Sequence, residues 1–357
     1  MIKFYDWLRG SGVYAVTVPP MDGALKPNDL LETASIATVA AQPDNLTPDG
    51  SRVLFSTGNT LMSLERMGEK WSAQSIASFA AAITCIGAEG RGGIAIGIDD
   101  GTVLLKGGKH DGLRIDKVAD RPLVCPTACA FAGENTLILC LGSLTNPASR
   151  WKADLMERNE TGSVWSIDLA SGAATRLADR LAFPYGLQIA GPGRIVVTES
   201  WKHRVVEIVG GKVKELLADL PGYPARLARS GDGYWLSAFA PRSQMVEFVL
   251  RERKFCLGMM ANIDAEYWMA PALISGRNHL EPLQGGAIRH LGVLKPWSPT
   301  RSYGLLVELD AAFKPLRSLH SRAGGRHHGI TSGIEFDGAI LATSKGGDAV
   351  LALPRQS

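Results

Sequence analysis

The sequence has no long apolar run, no basic cluster and few cysteines, and each absence excludes a class of protein. No apolar stretch approaches the roughly 20 residues that a membrane-spanning helix needs. The 38 basic and 35 acidic residues nearly balance, and no lysine/arginine run is long enough to follow a nucleic-acid backbone. We therefore expect neither a membrane span nor a nucleic-acid partner, while the oligomeric state stays open.

The N-terminus and the cysteines point away from a secreted, disulfide-rich protein. Residues 1–12, MIKFYDWLRGSG, carry charges and lack the apolar segment and cleavage site of a signal peptide, which predicts a cytoplasmic protein. The five cysteines are an odd set. Cys125 and Cys129 form a CxxxC motif without a second Cys/His pair nearby, so we expect buried apolar side chains on strands rather than a zinc site.

Turn residues are spread along the whole chain. The 40 glycines and 19 prolines do not cluster into a linker. We therefore predict an N-terminal arm over residues 1–30 and a single domain over residues 31–357.

Within that domain a unit recurs roughly every 40 to 60 residues. Each copy has a corner, an apolar strand, a turn with glycine and a β-branched second strand. The six copies begin at the corners of the segments 42–57, 81–105, 125–143, 181–200, 223–239 and 328–344. Six such units predict an all-β fold, a six-bladed β-propeller in which the corners converge at one mouth of the central channel.

Two segments interrupt the repeat. Residues 146–161 lie inside the third unit, and residues 251–302 form a long insertion in the fifth, with helical segments predicted around 263–274 and 280–291. Long insertions in a propeller often cover the face where ligands enter. The aromatic side chains of Trp268 and Trp297 suit a pocket lid, although they could equally attach the insertion to the propeller.

At these corners the chain resembles the strictosidine synthase-like family, relatives of gluconolactonases and paraoxonases. The matching stretches are LAFPYGLQIAGPGRIVVTES, LPGYPARLARSGDGYW and GITSGIEFDGAILATS. The resemblance implies a six-bladed propeller with a pocket at the channel mouth, and an enzyme of the lactonase or esterase type or a strictosidine synthase-like lyase.

The resemblance also implies a ligand set that this chain has mostly lost. Lactonase-type relatives hold a calcium ion with oxygens from the corners. Tyr185 stands where the family's FPNG asparagine would be, Ala225 and Arg226 replace the PDN pair, and Thr127 replaces another asparagine. Calcium needs about six or more oxygen ligands and is repelled by a guanidinium, so we expect no catalytic metal and no other cofactor.

The family's lyase depends on a glutamate in the last blade. In this chain the corresponding position falls within residues 329–331, where there is no carboxylate. This departure argues against a Pictet–Spengler reaction.

The remaining corner residues make a candidate site. Asp44 and Arg226 are predicted to pair across the channel, with Arg226 binding a carboxylate or polarising a carbonyl. His328 and Asp44 are candidate general acids or bases, and Tyr185 is a candidate hydrogen-bond donor or acid. Further candidates for substrate binding are the corner residues Asn45, Thr84, Thr127 and Thr331.

Two functions fit these residues. The first is an enzyme that acts without a metal on a small carbonyl- or carboxylate-bearing metabolite. The second is a non-catalytic propeller that binds a small metabolite or a protein partner. Fold alone does not decide between them, because propellers serve both purposes.

Overall fold

The computed structural model describes residues 17–282, 289–290, 293–294 and 301–355. Six four-stranded antiparallel sheets form a six-bladed β-propeller, which confirms the predicted fold class. In chain order the strands are β1 (Ser35–Val39); β2 (Pro43–Asp49), β3 (Arg52–Thr57), β4 (Thr60–Met67) and β5 (Lys70–Ser78) of blade 1; β6 (Ile83–Ala88), β7 (Ile94–Ile98), β8 (Thr102–Lys106) and β9 (Arg114–Ile115) of blade 2; and the hairpin β10 (Lys117–Val118) and β11 (Arg121–Pro122).

The second half of the chain completes the ring. Its strands are β12 (Pro126–Phe131), β13 (Thr136–Leu141), β14 (Gly162–Asp168) and β15 (Ala174–Leu181) of blade 3; β16 (Pro184–Gly191), β17 (Arg194–Glu199), β18 (Arg204–Val209) and β19 (Lys212–Leu217) of blade 4; β20 (Gly222–Ser230), β21 (Gly233–Pro241), β24 (Gly304–Leu309) and β25 (Pro315–Ser321) of blade 5; the pair β22 (Arg289–His290) and β23 (Val293–Leu294); and β26 (Ile330–Phe336), β27 (Ala339–Ser344) and β28 (Ala349–Pro354) of blade 6. Strand β1 pairs with β28, so the ring is closed by strands from both ends of the described chain.

Burial follows the position of a strand within its blade. The second strand of each blade is almost fully buried, as in β17 and β27, because neighbouring blades cover both of its faces. The outermost strands β5 and β19 are largely exposed. Innermost strands also approach one another closely: a Cβ on Gly186 of β16 would lie 2.5 Å from the carbonyl oxygen of Ala225 in β20, so only glycine fits there.

Within the described residues, helices are confined to the two interruptions of the repeat and to short turns. They are α1 (Trp151–Met156), α2 (Gln244–Val249), α3 (Arg253–Asn262) and the 3₁₀ turns Gly23–Leu25, Ala148–Arg150, Ser200–Lys202 and Ala265–Tyr267. Among the described residues, no helix is long and apolar enough to cross a membrane.

The insertion in blade 5 begins earlier than predicted, and its helices lie at other positions. It runs from the end of β21 to the start of β24, beginning nearer residue 242 than 251. The predicted helical segment 263–274 is wrong, because it contains only a 3₁₀ turn and Pro271 disfavours a helix there. Most of the segment 280–291 lies outside the described residues, and its residues 289–290 form a short strand.

The described part of the N-terminal arm lies along the outer strand of blade 5. Asn28 donates from Nδ2 to the carbonyl oxygen of Ser318 at 2.8 Å, and its Oδ1 accepts from the backbone N–H of His320 at 3.1 Å. Leu31 is fully buried. The arm thus shields part of the edge that β25 would otherwise expose.

Candidate functional site

The six innermost strands share an irregularity at the channel mouth. In every blade, the pairing of the innermost strand with the next strand shifts near its start. Such bulges redirect side chains and are frequent beside functional sites. The residues skipped by the regular pairing are 45–46, Thr84, Thr127, Tyr185, 225–226 and Thr331, which coincide with the predicted corners.

A buried ion cluster spans the channel at this level. Asp44 accepts from Arg226 Nε at 2.9 Å through Oδ1, so the predicted pairing across the channel is present. Its Oδ2 accepts from Lys345 Nζ at 3.1 Å and from the Tyr185 hydroxyl at 3.2 Å. These four residues, which come from blades 1, 4, 5 and 6, are called the floor.

Arg226 extends the cluster to the remaining two blades. Its Nη1 donates to the carbonyl oxygen of Thr127 at 2.9 Å, and its Nη2 to that of Thr84 at 2.8 Å. The guanidinium carbon also lies 4.8 Å from the centre of the Tyr185 ring, within cation–π range. One side chain therefore fixes the relative position of several innermost strands.

The charges of the floor follow from these contacts. Burial alone would raise the pKa of the Asp44 carboxyl, but the charges of Arg226 and Lys345 hold it well below its usual range. Burial and the adjacent Asp44 charge raise the pKa of Tyr185 to about 12. Burial opposes charge on Lys345, yet Asp44 raises the pKa of that ammonium. At neutral pH one carboxylate thus faces two cations and a protonated phenol, which leaves one net positive charge.

A cavity of about 260 Å³, the mouth cavity, lies against the floor. Asp44, Tyr185 and Lys345 line it, as do Thr84 and Thr331. The aromatic part of its lining, called the wall, consists of the side chains of Trp151, Phe183, Trp201 and Phe239. It adjoins the floor, because the Tyr185 ring lies 5.8 Å from that of Phe183 and 6.2 Å from that of Phe239, centre to centre.

The rings of the wall contact one another. Trp201 stacks on Phe183 with centroids 4.5 Å apart, and Trp151 meets Phe239 edge-on at 5.3 Å. Trp201 also donates from Nε1 to Oδ1 of the fully buried Asp154 at 2.8 Å. Two side chains of helix α1, Trp151 and Asp154, therefore form and orient part of the wall.

Two predicted binding residues, Asn45 and Thr127, lie next to the floor but do not line the mouth cavity. The Thr127 hydroxyl donates to the carbonyl oxygen of Pro184 at 2.5 Å, while its own carbonyl receives Arg226. Asn45 donates to the Ser56 hydroxyl at 2.8 Å and lines a second cavity, of about 290 Å³, that Arg226 also borders. The floor thus separates two spaces within the channel.

His328 is not part of this cluster. Its Nε2 lies 2.8 Å from the carbonyl oxygen of Arg322 and its Nδ1 lies 2.8 Å from the Ser302 hydroxyl. Because a carbonyl only accepts, Nε2 carries the proton and Nδ1 accepts from Ser302. Burial lowers the pKa of His328, so the ring is neutral with both nitrogens engaged. Neither ring nitrogen therefore has a free lone pair with which His328 could act as the predicted general base.

The predicted lid residue Trp268 also lies outside the mouth cavity. Trp268 donates from Nε1 to the carbonyl oxygen of Ile263 at 2.8 Å and packs in the apolar cluster that joins the insertion to blade 5. It attaches the insertion to the propeller and is absent from the cavity lining, where the insertion contributes Leu273 instead. Trp297 lies outside the described residues.

Sequence reasoning missed Lys345 and the whole wall. Lys345 directly follows β27, and Trp201 follows β17 by two residues. In an antiparallel hairpin the end of the second strand returns to the level at which the first begins. Polar and aromatic residues just after the second strand were therefore a usable signal for the channel mouth.

Comparisons with known proteins agree on the fold. The chain is similar to the structure of a gluconolactonase from Xanthomonas campestris, with a TM-score of 0.56 and 9% identity over 89% of this chain and 88% of that one. It is also similar to regucalcin, a calcium-binding protein from Agrobacterium tumefaciens, with a TM-score of 0.53 and 9% identity over 90% of this chain and 93% of that one.

At this identity the likeness establishes the propeller fold alone. No protein-family model matches the chain, and no curated protein matches its sequence. The resemblance to strictosidine synthase-like proteins therefore stays a prediction.

Proposed function

We propose that the mouth cavity binds a small carboxylate- or carbonyl-bearing metabolite without a metal ion. The observation that carries this proposal is the convergence of Arg226 and Lys345 on the single carboxylate of Asp44, 2.9 and 3.1 Å away. The net positive charge of this floor borders the mouth cavity, and Asp44 and Arg226 are largely buried, where little water screens a charge.

Free donors in the cavity support recognition of an anionic oxygen. An ammonium has three N–H donors, and Asp44 accepts one of those of Lys345, whose side chain is 24% exposed. The remaining N–H groups of this ammonium can donate to a carboxylate or to a polarised carbonyl.

The same floor argues against calcium at this position. A calcium ion needs six to eight oxygen ligands, whereas both oxygens of Asp44 already accept from cationic donors. Within residues 17–282 and 301–355, no group of three or more Cys, His, Asp or Glu side chains could hold a metal. The donor set thus fits an anion better than a dication.

Hydrolysis of a lactone or ester is the second candidate. It is favoured by the same cationic floor, which would stabilise the oxyanion formed when a carbonyl is attacked. Against it, Asp44 is a weak base, Tyr185 retains its proton and His328 is engaged at both nitrogens. These contacts favour binding over turnover. The lyase alternative lacks the glutamate of the family, because residues 329–331 contain no carboxylate.

Calorimetric titration with a panel of small carboxylates, and turnover assays with lactones and esters, test the proposal with and without chelator. Lys345→Met should weaken carboxylate binding about tenfold or more, since a hydrogen bond to a charged partner is lost. The matched control is Lys109→Met, which removes an exposed lysine paired with Glu134. Binding that needs a divalent ion, or that survives Lys345→Met unchanged, would overturn the proposal.

A further inference from the structure

The wall of the mouth cavity is more specialised than an anion site requires. A carboxylate needs only the floor, yet the lining also includes four aromatic side chains in mutual contact. Two of them, Phe183 and Phe239, are only 3% exposed, while Trp151 and Trp201 are half-buried. The cavity therefore has one charged side and one aromatic side.

The aromatic side is held in place before any ligand binds. Trp201 is fixed between the stacked ring of Phe183 and the carboxylate of Asp154, and that carboxylate also accepts from Asn146 and Asn159 at 3.2 and 3.0 Å. Such a preformed surface binds a complementary ligand at a low entropic cost.

The volume of the cavity and the charges in its lining limit the ligand further. A space of about 260 Å³, packed at the density of a protein interior, holds about 10 to 14 non-hydrogen atoms. Asp99 also lines the cavity, with its Oδ1 accepting from the backbone N–H of Ser149 at 3.0 Å. Lys345 is the only lysine or arginine among the lining residues, so a second anionic group on the ligand would find no cation to pair with, and the cavity suits one negative charge.

From these observations we infer that the ligand is a small aromatic monocarboxylate, with its carboxylate on the floor and its ring against the wall. The inference rests on the proposed function and specifies the substrate class of that same site. Rings prefer edge-to-face and offset contacts with other rings, and the wall offers both arrangements.

The test compares benzoate with its saturated counterpart cyclohexanecarboxylate and with the dicarboxylate glutarate, by calorimetry on the full chain. Benzoate should bind about three- to tenfold more tightly than cyclohexanecarboxylate, and glutarate more weakly than both. Trp151→Leu should remove the preference for the aromatic ring, and Trp151→Phe should retain it. Lys345→Met should weaken both ring-bearing acids by the same factor.

The outcomes separate this inference from the function on which it rests. Equal affinities for benzoate and cyclohexanecarboxylate, with both lost in Lys345→Met, would overturn the aromatic assignment and leave the anion site standing. Affinities that Lys345→Met does not change would remove the anion site itself. A thermal melt of each variant establishes whether it is folded. If Trp151→Leu does not fold, the comparison of benzoate with cyclohexanecarboxylate is still made on the unsubstituted protein and on Trp151→Phe.

Discussion

The floor and the wall of the mouth cavity border the same space but are assembled differently. The floor connects all six blades through hydrogen bonds to charged groups. Asp44, Tyr185, Arg226 and Lys345 come from four blades, and Arg226 donates to the carbonyl oxygens of Thr84 and Thr127 in the other two. The wall comes from blades 4 and 5 and from helix α1 within blade 3, and its members meet through ring contacts.

This difference separates stability from selectivity. A change in the floor leaves an unpaired charge at the centre of the propeller, where every blade is affected. A change in the wall alters a local surface that helix α1 supplies. The ligand preference of such a propeller can therefore change through an insertion, while the charges that hold the blades together stay the same.

The largest effect is expected from removing the arginine of the floor. Arg226→Ala removes one of the two cations that pair with Asp44 and removes the donors that Arg226 supplies to the carbonyl oxygens of Thr84 and Thr127. Loss of one partner from a buried pair costs about 3–5 kcal/mol, which should appear in the free energy of unfolding measured by chemical denaturation.

The control for this variant is Arg176→Ala. Arg176 forms an ion pair with Asp179 in which both side chains are about half exposed, and such pairs contribute about 1 kcal/mol or less. Similar losses in the two variants would mean that the floor does not hold the blades together.

The next effect is a sensitivity to acid to which the carboxylate of the floor contributes. The folded-state pKa of Asp44 lies below its unfolded-state value, so its contribution to stability is complete above about pH 4 and declines as the pH falls towards the folded-state value. Ring contacts do not titrate. Asp44→Asn should therefore flatten the decline of unfolding free energy below about pH 4, although the variant is less stable at neutral pH.

A parallel measurement on Asp179→Asn completes this comparison, because its exposed ion pair contributes little at any pH. We expect Asp179→Asn to follow the unsubstituted protein through the acid range. A decline in Asp44→Asn as steep as that of the unsubstituted protein would show that other groups cause the acid sensitivity.

The fold was predictable because its signals are local. Each predicted unit covers the two innermost strands of a blade, as residues 42–57 cover β2 and β3. Strand and turn patterns within such a hairpin depend on neighbouring residues, and the repeat then fixes the architecture. The pairing of Asp44 with Arg226 was accessible by the same logic, since equivalent corners of a propeller meet at one mouth.

The rest of the site depends on contacts that a local pattern does not contain. His328 stands beside a predicted corner, but its loop turns the ring towards Ser302 and the carbonyl oxygen of Arg322. Trp268 was predicted in a lid, and the fold of the insertion buries it in that insertion's own attachment to blade 5. In both cases the backbone path between two elements, rather than residue type, decides where the side chain lies.

The smallest of the three effects should come from the wall. Asp154 accepts hydrogen bonds from Trp201, Asn146 and Asn159. In Asp154→Asn one accepting oxygen becomes an N–H₂ donor, so at least one of these donors faces another donor in a fully buried place. A group left unsatisfied in this way costs about 1–3 kcal/mol in unfolding free energy, less than the loss of the arginine.

Trp201 should also gain freedom in this variant. Benzoate binding would then weaken and the tryptophan emission would change, while the preference for carboxylates remains. Glu160→Gln, which alters an exposed carboxylate of the same segment paired with Lys202, should change none of these properties. If Asp154→Asn instead abolished the binding of all carboxylates, the floor and the wall would be a single coupled unit rather than two separable parts.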